Sequence, residues 1–276
     1  SDIVLSVTGS TIGIGKKISE LLLKEGCNVV ISSRSKDKVK SVVSEFKKEY
    51  GDAVTGYPCD VKDIKSVQKL VDHTLESFGS IEILVANAGI TSLYGPFNKL
   101  SQKELNEITD NVIGTNLTGA INCVSAVLPA MISKKYGRII TLGGAGSDQK
   151  RPMPHHIVYA ASKGGVINFS MCLAKELEED EEDIKINVFQ PGIIKTNMVT
   201  SSKVVRNWIT NEELQKQTSL VLDHLGSDIE ESCKNVIPYA SPACKENGTV
   251  FRGFSIKKMI FGGIKLKKAM KQLKEN

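Results

Sequence analysis

A tyrosine and a lysine four residues apart, Tyr159 and Lys163, are the side chains best suited to proton transfer. The surrounding sequence, YAASKGG, predicts a helix, and residues four apart on a helix share one face. A free tyrosine has a pKa of about 10 and is a poor proton carrier at neutral pH. A lysine cation beside it favours the phenolate and lowers that pKa. The spacing therefore indicates general acid–base chemistry on this face of the helix.

A glycine-rich turn, TGSTIGIG from Thr8 to Gly15, lies between a predicted strand and a predicted helix. Its glycines, Gly9, Gly13 and Gly15, allow a tight turn and let a ligand approach the backbone closely. The helix that follows offers N–H groups and the positive end of its dipole to a pyrophosphate. A purely structural loop is the alternative. The strand–turn–helix context favours a dinucleotide site.

Strands and helices alternate along the chain and would position both groups. Apolar runs predict strands at DIVLSV, CNVVISS, AVTGYPCDV, IEILVANAG, GRIITLGG and IKINVFQ. Helical spacing predicts helices over 14–25, 36–50, 65–78, 102–110, 113–134 and 159–183. Nearly continuous apolar strands that alternate with helices indicate an α/β fold, a parallel sheet with helices on both faces. No repeat or linker divides residues 1–276, so one domain is expected, with a basic extension over about 255–276.

Composition narrows the class of protein. The chain has 276 residues, of which 41% are hydrophobic and 24% charged, as in ordinary globular proteins. No apolar run reaches the roughly 18 residues needed to span a membrane, and DIVLSV is too short for a signal peptide. The six cysteines are scattered without metal-ligand spacing, so reduced thiols and a cytoplasmic location are expected, with no metal site.

Five motifs in order resemble the short-chain dehydrogenase/reductase family. They are the TGxxxGxG spacing of the turn, Asp60-Val61, Asn87-Ala88-Gly89, the Tyr159/Lys163 pair, and Pro191-Gly192 with Thr196. The resemblance covers roughly residues 3–250. It implies a Rossmann-type, doubly wound α/β fold with a mainly seven-stranded parallel sheet, and hydride transfer between a nicotinamide and a carbonyl or hydroxyl carbon.

The resemblance also assigns roles to residues. Tyr159 would exchange a proton with the substrate oxygen, and Lys163 would bind the nicotinamide ribose. Asn116 would hold a water beside the lysine, or would only mark a helix kink. Cofactor contacts are implied along the turn and at the ends of later strands, at Gly9, Ser10, Thr11, Ile12, Gly13, Ile14, Gly15, Asp60, Val61, Asn87, Ala88, Gly89, Pro191, Gly192, Ile194 and Thr196.

The end of the second strand indicates which dinucleotide binds. An acid there would bind the ribose 2′-hydroxyl of NAD, but the sequence is ISSRSKDK, with Ser33 and Arg34 at the tip. A guanidinium suits a 2′-phosphate, so NADP(H) is preferred and NAD(H) remains possible. Arg34 as a solvated loop charge is the alternative. Relatives that bind NADP often carry a second basic residue in the glycine turn, where this chain has Ile12.

The sequence departs from the family at the usual catalytic serine. Gly143-Gly144 follows the strand where the family places Ser-Ser. Ser147, three residues on, could replace the serine, as could a backbone N–H or a water. His155 and His156 could touch substrate or simply make the loop polar. Trp208 and its apolar neighbours could line a substrate pocket or anchor the core.

Two classes of function follow. The first is a reductase of ketones, aldehydes or 3-oxoacyl groups, favoured by Tyr159, Lys163 and Asn116. The second is a non-catalytic NADP-binding regulator or scaffold, favoured by Gly144. An epimerase or dehydratase fits the length and glycine spacing less well. A small-molecule partner and a homodimer or homotetramer are expected, with no nucleic-acid role.

The last 20 residues carry much of the excess positive charge, because they contain seven lysines and the formal net charge of the whole chain is +5. Their lysines alternate with apolar residues in a helical pattern. A solvated helix that packs on the subunit is one interpretation. A helix for a membrane surface or an acidic partner is the other.

Overall fold

Seven parallel strands form the central sheet of the computed structural model, which describes residues 3–147, 152–180, 182–200 and 203–275. The strands are β1 (Val4–Thr8), β2 (Asn28–Ser33), β3 (Val54–Pro58), β4 (Ile83–Ala86), β5 (Tyr136–Leu142), β6 (Asp183–Gln190) and β9 (Val250–Arg252). Their spatial order is β3-β2-β1-β4-β5-β6-β9. A separate parallel pair joins β7 (Ile193–Ile194) to β8 (Gly226–Ser227). The predicted seven-stranded, Rossmann-type sheet is confirmed.

Helices cover both faces of the sheet. Their bounds are α1 (Gly13–Lys24), α2 (Lys36–Tyr50), α3 (Ile64–Phe78), α4 (Gln102–Ile108), α5 (Gly119–Lys134), α6 (Ile157–Leu177), α7 (Asn197–Thr200), α8 (Asn211–Leu225), α9 (Ile229–Cys233), α10 (Ile237–Ala240) and α11 (Ile256–Glu275). Alternate residues of β2 explain the two layers. Val29 and Ile31 pack in one core with α1, α2, α9 and α10, whereas Val30 packs in the other with α3, α5 and α6.

The helices that the sequence predicted over 102–110 and 113–134 are one continuous helical stretch. A π-helical segment, Thr109–Thr118, joins α4 to α5. The start is fixed by a capping box, in which Ser101 and Glu104 bond to each other's backbone N–H. The predicted break is therefore a widening of the helix, and it lies where Asn116 enters the core.

The helix predicted to run to residue 183 ends earlier, at Leu177. Acidic residues crowd the sequence after it, EEDEED from Glu178 to Asp183. Carboxylates are unfavourable at the negative end of a helix dipole and repel one another. Asp183 instead begins β6, where its carboxylate accepts a hydrogen bond from the buried Arg138 guanidinium at 2.7 Å.

Two helical stretches, Gln102–Lys134 and Ile157–Leu177, are long and apolar enough to cross a membrane by length and composition alone. Both contact the sheet: α5 lies against β4 and β5, and α6 against β5 and β6. Sheet-facing helices need such apolar residues for the core. The six cysteines are all free thiols.

Candidate active site

A cleft of about 520 Å³ opens at the carboxyl ends of the strands. It lies where β1 has β2 on one side and β4 on the other, so that the chain connections leave in opposite directions. Open α/β sheets bind ligands at such a point. The cleft is lined by residues from most of the predicted motifs, among them Gly9, Thr11, Ile12, Gly13, Ile14, Gly15, Ser33, Arg34, Asp60, Val61, Asn87, Ala88, Gly89, Tyr159, Lys163, Pro191 and Thr196.

The glycine turn is held by close backbone contacts. Gly9 and Gly13 have φ angles of 64° and 57°, which favour glycine. A Cβ on Gly15 would lie 2.4 Å from the Asn87 side-chain nitrogen and 2.6 Å from the Gly9 oxygen. Ser10 is buried beneath the turn, where its hydroxyl donates to the Val7 carbonyl at 2.7 Å. Ser10 therefore supports the turn from below, and it does not line the cleft.

The start of α1 fits a pyrophosphate. Its N-cap residue is Ile12, which has no side-chain oxygen to cap the helix, and the first turn holds no acid. The first N–H groups of a helix have no partner within the helix, and an anion can accept from them. A Cβ on Gly13 would project into the cleft and meet only the Thr196 side chain, at 3.5 Å. The turn thus leaves room for a phosphate group beside the backbone.

Two cations border the far end of the cleft. Arg34, at the tip of β2, and Lys38, in the first turn of α2, both line it. Both are exposed, and neither has an ion-pair partner within the described part of the chain. No motif indicated Lys38, although its position three residues after the Ser35 cap of α2 could have done so. Lys38 therefore places a second positive charge at the same end of the cleft as Arg34.

The end of β4 is tied to the glycine turn. The Asn87 amide donates to the Thr8 carbonyl at 2.8 Å and to the Gly9 carbonyl at 3.1 Å. The Ala88 N–H donates to the Thr8 hydroxyl at 3.0 Å. Asn87 thus ties the end of β4 to the glycine turn, and the residue also lines the cleft. On the other side of the cleft, the Asp60 carboxylate accepts from the Lys62 N–H at 3.0 Å.

Lys163 and Asn116 meet beside Gly89. The Lys163 ammonium donates to the Leu142 carbonyl at 2.9 Å. The Asn116 amide oxygen accepts from the Ile90 N–H at 2.8 Å, and its nitrogen donates to the Ile90 carbonyl at 3.0 Å. A Cβ on Gly89 would lie 3.4 Å from the Asn116 oxygen and 3.5 Å from the Lys163 nitrogen. Asn116 therefore locks the strand end next to the lysine, and it lies behind the cleft wall.

Burial determines the protonation of the predicted acid–base pair. It raises the pKa of Tyr159 to about 12 and lowers the pKa of Lys163 to about 8. The four-residue spacing predicted that the lysine cation lowers the tyrosine pKa. The direction is the opposite, because the loss of solvent disfavours the charged forms of both side chains. At neutral pH the tyrosine is therefore a neutral hydrogen-bond donor and proton source.

Gly144 leaves room for the tyrosine. A Cβ on Gly144 would lie 2.6 Å from the Tyr159 hydroxyl oxygen and 2.9 Å from Lys163 Cγ. The tyrosine hydroxyl thus occupies space that any side chain at position 144 would need. The Ser147 hydroxyl donates to the Gly144 carbonyl at 2.6 Å and accepts from the Gln190 amide at 3.2 Å. Ser147 is not among the cleft-lining residues, so its role on substrate stays a prediction.

In the segment after β6, residues 191–196, some residues line the cleft and others pack away from it. Pro191 and Thr196 line the cleft. Gly192 has a φ of 84°, and a Cβ there would meet the Phe254 ring at 2.9 Å. Ile194 is buried and belongs to the short β7–β8 pair. Gly192 and Ile194 therefore shape the segment and do not line the cleft.

Aromatic rings surround Tyr159 at one end of the cleft. The His156 ring stacks on Tyr159, with centroids 4.6 Å apart and planes at 12°, and its Nε2 atom lies 2.6 Å from the Thr91 hydroxyl. Burial lowers the pKa of His156 to about 4, so the imidazole is neutral. Tyr94 packs against Trp208 and both histidines. The sequence indicated the histidines and Trp208 without connecting them, and residues 148–151 of their loop lie outside the described residues.

Comparison with known proteins identifies the family. Residues 3–206 match the family described as short chain dehydrogenase. The chain belongs to this family. The matched residues include the glycine turn and the tyrosine–lysine helix described above.

Several dehydrogenase-family proteins are similar to the chain. It is 36% identical over 204 residues to chlorophyll(ide) b reductase NOL, chloroplastic, of Oryza sativa subsp. japonica, a match that spans 72% of this chain and 58% of that protein. The chain thus spans little more than half the length of that relative. It is 36% identical over 192 residues to the 3-oxoacyl-acyl-carrier-protein reductase FabG of Haemophilus influenzae, covering 70% of this chain and 74% of that protein. Its fold matches a solved actinorhodin polyketide ketoreductase with NADPH at a TM-score of 0.76 and 29% identity, covering 90% and 94% of the two chains.

The cleft of this short chain dehydrogenase also contains residues that the motifs did not indicate. Besides Lys38, they are Ser35, Cys59, Ile90, Thr115, Leu142, Lys195 and Ile229, whereas Gly143 and Met198 lie in segments that the sequence had indicated. Most lie one or two residues from a motif. Ile229 has no local signal, because it reaches the cleft through α9, a helix that packs on α1 from far along the chain.

Proposed function

We propose that this chain is an NADPH-dependent reductase of carbonyl compounds, of the ketone, aldehyde or 3-oxoacyl type, and that the reaction is reversible. The observation that carries the proposal is the position of a neutral Tyr159 hydroxyl and the Lys163 ammonium in one wall of a cleft whose opposite end is a glycine turn at a helix start. The 3-oxoacyl reductase and ketoreductase relatives support the substrate type.

The chain's own residues supply positioning and the proton. A bound nicotinamide cofactor would supply or accept the hydride. Tyr159, kept neutral by burial, donates its proton to the substrate oxygen as negative charge develops there. Lys163 is held in place by its hydrogen bond to the Leu142 carbonyl, and its positive charge would stabilise the resulting phenolate. Asn116 holds the strand end against which the lysine packs.

The preference for NADPH over NADH rests on two cations. Arg34 and Lys38 border the end of the cleft that a cofactor's adenosine would occupy, and the tip of β2 carries Ser33-Arg34-Ser35 and no acid. A 2′-phosphate would gain charge-assisted hydrogen bonds from both side chains. A 2′-hydroxyl would gain little.

A glycine at the position of the family's serine is part of the proposal. Because position 144 has no side chain, the Tyr159 hydroxyl reaches deep toward the end of β5. The tyrosine would then be the principal side-chain donor to the substrate oxygen. The same observation favours the second candidate, a non-catalytic NADP-binding regulator, because the loss of one donor of this kind costs on the order of 10²–10³ in rate.

Steady-state kinetics distinguish the two candidates. NADPH oxidation would be followed with an acetoacetyl thioester, an aryl ketone and an aldehyde as substrates. We expect turnover on at least one, and a loss of roughly 10²–10⁴-fold in kcat for Tyr159→Phe with NADPH affinity unchanged. Tyr239→Phe, which alters a tyrosine stacked on Phe251 away from the cleft, is the control. Tight NADPH binding without turnover on any of these substrates would favour the regulator.

Calorimetric titration tests the cofactor preference. Arg34→Ala and Lys38→Ala each remove one cation that would bond to the 2′-phosphate, so each should weaken NADPH binding by roughly ten- to a hundredfold, with NADH affinity unchanged. Lys40→Ala removes an exposed lysine on the same helix that is not among the cleft-lining residues, and it should change neither affinity. Equal losses for NADPH and NADH would place the 2′-phosphate elsewhere.

We further propose that the chain forms a homodimer or homotetramer and works in the cytoplasm. Exposed apolar residues on α5 and α6, Ile121, Ile132 and Met171, support an association surface. Light scattering after size exclusion should show the oligomer, and Ile132→Glu combined with Met171→Glu should reduce it to monomer. A monomeric wild-type protein would contradict the proposal.

A further inference from the structure

The C-terminal helix α11 buries only one of its apolar surfaces. Gly262 faces α8 so closely that a Cβ there would lie 2.2 Å from the His224 oxygen, and Met259 and Leu266 lie partly buried on the same side. The opposite side carries four large apolar residues whose exposed fractions run from 47% to 66%, namely Ile256, Ile260, Phe261 and Ile264. The helix is therefore apolar on two sides, and α8 explains only the first.

The exposed apolar residues form a continuous outer face. Ile256, Ile260 and Ile264 repeat at every fourth residue, so they form one row along the helix, with Phe261 beside it. Single exposed apolar residues are common on protein surfaces, but a contiguous group marks a binding surface. The face is convex, because it is the outer surface of a single helix that packs on α8.

Positive charge surrounds this outer face. The helix contains seven lysines and one glutamate, and no acid lies between Ile256 and Leu273. Because the whole chain has a formal net charge of +5, the remainder is within one charge of neutrality. Lys257, Lys267 and Lys268 are exposed and lie at helical positions next to the isoleucine row.

We propose that the outer face of α11 binds the surface of a membrane that contains anionic lipids. Apolar residues interleaved with lysines on one helix face match both the acyl boundary and the negative headgroups of such a surface. A second copy of the chain fits less well, because it would bring two lysine-rich helices together. A nucleic acid would leave the isoleucine row and Phe261 without an apolar partner. The proposal does not depend on the proposed catalytic function.

Vesicle binding by the full chain tests the proposal. Flotation with phosphatidylcholine vesicles would be compared with flotation in which part of the lipid is phosphatidylserine. We expect binding only to the anionic vesicles, and weaker binding as salt is raised. The triple variant Ile260→Ser, Phe261→Ser, Ile264→Ser and the triple variant Lys257→Gln, Lys267→Gln, Lys268→Gln should each lower the partition coefficient by roughly tenfold or more.

A matched variant on another helix is the control. Ile64→Ser, Lys65→Gln, Lys69→Gln removes an exposed isoleucine and two exposed lysines from α3, and it should bind as wild type does. Circular dichroism and thermal unfolding would show that every variant folds. Absence of wild-type binding to anionic vesicles overturns the proposal, as does equal loss in the α3 control. So does unchanged binding by the serine variant, or a concentration-dependent dimer that the α11 variants abolish.

Discussion

The glycine turn after β1 and the loop after β5 both border the cleft, but different kinds of contact hold them. The turn is fixed by hydrogen bonds to neighbouring strands, such as those from the Asn87 amide to the Thr8 and Gly9 carbonyls. The β5 loop is fixed near α6 by side-chain contacts with other segments, since the His156 ring stacks on Tyr159 and its Nε2 atom lies 2.6 Å from the Thr91 hydroxyl. In the turn the closely packed groups are backbone atoms, since a Cβ on Gly9 would lie 2.9 Å from Ala88 Cα, whereas in the loop the contacts are made by rings and side chains.

This difference predicts how the two regions respond to change. Backbone atoms in contact with buried strand ends cannot move to admit an added atom, so the turn should be intolerant of side chains. Contacts between side chains can rearrange and are coupled to one another. Substitutions in the β5 loop should therefore be milder and should depend on their neighbours.

The largest effect is expected at Gly15. In Gly15→Ala the new Cβ would lie 2.6 Å from the Gly9 carbonyl oxygen, which is fixed backbone. We expect a loss of about 3 kcal/mol or more in the free energy of unfolding, together with loss of measurable NADPH binding. Gly164→Ala in α6 is the matched substitution, because its Cβ would meet only the Ser147 oxygen at 3.8 Å. It should be neutral or stabilise the helix by roughly 0.5–1 kcal/mol.

If the two glycine variants behave alike in chemical denaturation and in calorimetric titration with NADPH, the glycine turn tolerates an added side chain and the expected difference from the β5 loop is wrong. A tolerated Gly15→Ala would mean that the turn can shift away from β4. The hydrogen bonds from Asn87 would then be a consequence of the turn's position and not its cause.

The same difference explains what the sequence could predict. The ends of β2 and α2 were predicted within a residue, and Arg34 with Ser33 was placed correctly beside the cleft, because strand–turn–helix patterns are local. By contrast, the His156 ring that stacks on Tyr159 is held by a hydrogen bond to Thr91, which lies 65 residues earlier in the chain. No local pattern reports such a contact. The direction of the Tyr159 pKa also depended on burial, which the four-residue spacing does not show.

A second prediction concerns the pH dependence of stability at Lys163. Its pKa is about 8 in the folded protein and 10.5 in a free lysine, so between these values the unfolded chain binds the extra proton. Wild-type stability should therefore rise with pH across this window, by up to about 3 kcal/mol from this group. Below pH 8 the full cost of the buried cation is present. Lys163→Met removes this slope.

Urea denaturation of the cofactor-free protein at a series of pH values measures the pH dependence that Lys163 contributes to stability. The unfolding free energy of Lys163→Met minus that of wild type should be largest below pH 8 and should fall toward pH 10.5. Lys175→Met, an exposed lysine on the same helix, is the control. A difference that stays constant with pH would show that Lys163 keeps an ordinary pKa in the fold.

A third prediction concerns Gly144. In Gly144→Ser the new Cβ would lie 2.6 Å from the Tyr159 hydroxyl oxygen, and the stacked His156 ring limits how far the tyrosine can retreat. A displacement of about 1 Å can cost on the order of 100-fold, so we expect kcat for carbonyl reduction to fall by roughly ten- to a hundredfold. A rise in kcat would mean that a serine hydroxyl is what this site lacks, and that the present tyrosine position is a poor one.

The smallest effect, and the most specific to the β5 loop, is expected at His156. His156→Phe keeps a flat ring on Tyr159 but cannot hydrogen-bond to Thr91, so kcat should fall about threefold. His156→Ala removes both the ring and the hydrogen bond, and about tenfold is expected. If the ring is what holds the tyrosine forward, the alanine variant should also lessen the harm done by Gly144→Ser, because Tyr159 can then move back. A double-mutant cycle in kcat, with KM followed separately, measures that coupling. Strict additivity would show that His156 and Gly144 act on Tyr159 independently, and the β5 loop would then be as rigid as the glycine turn.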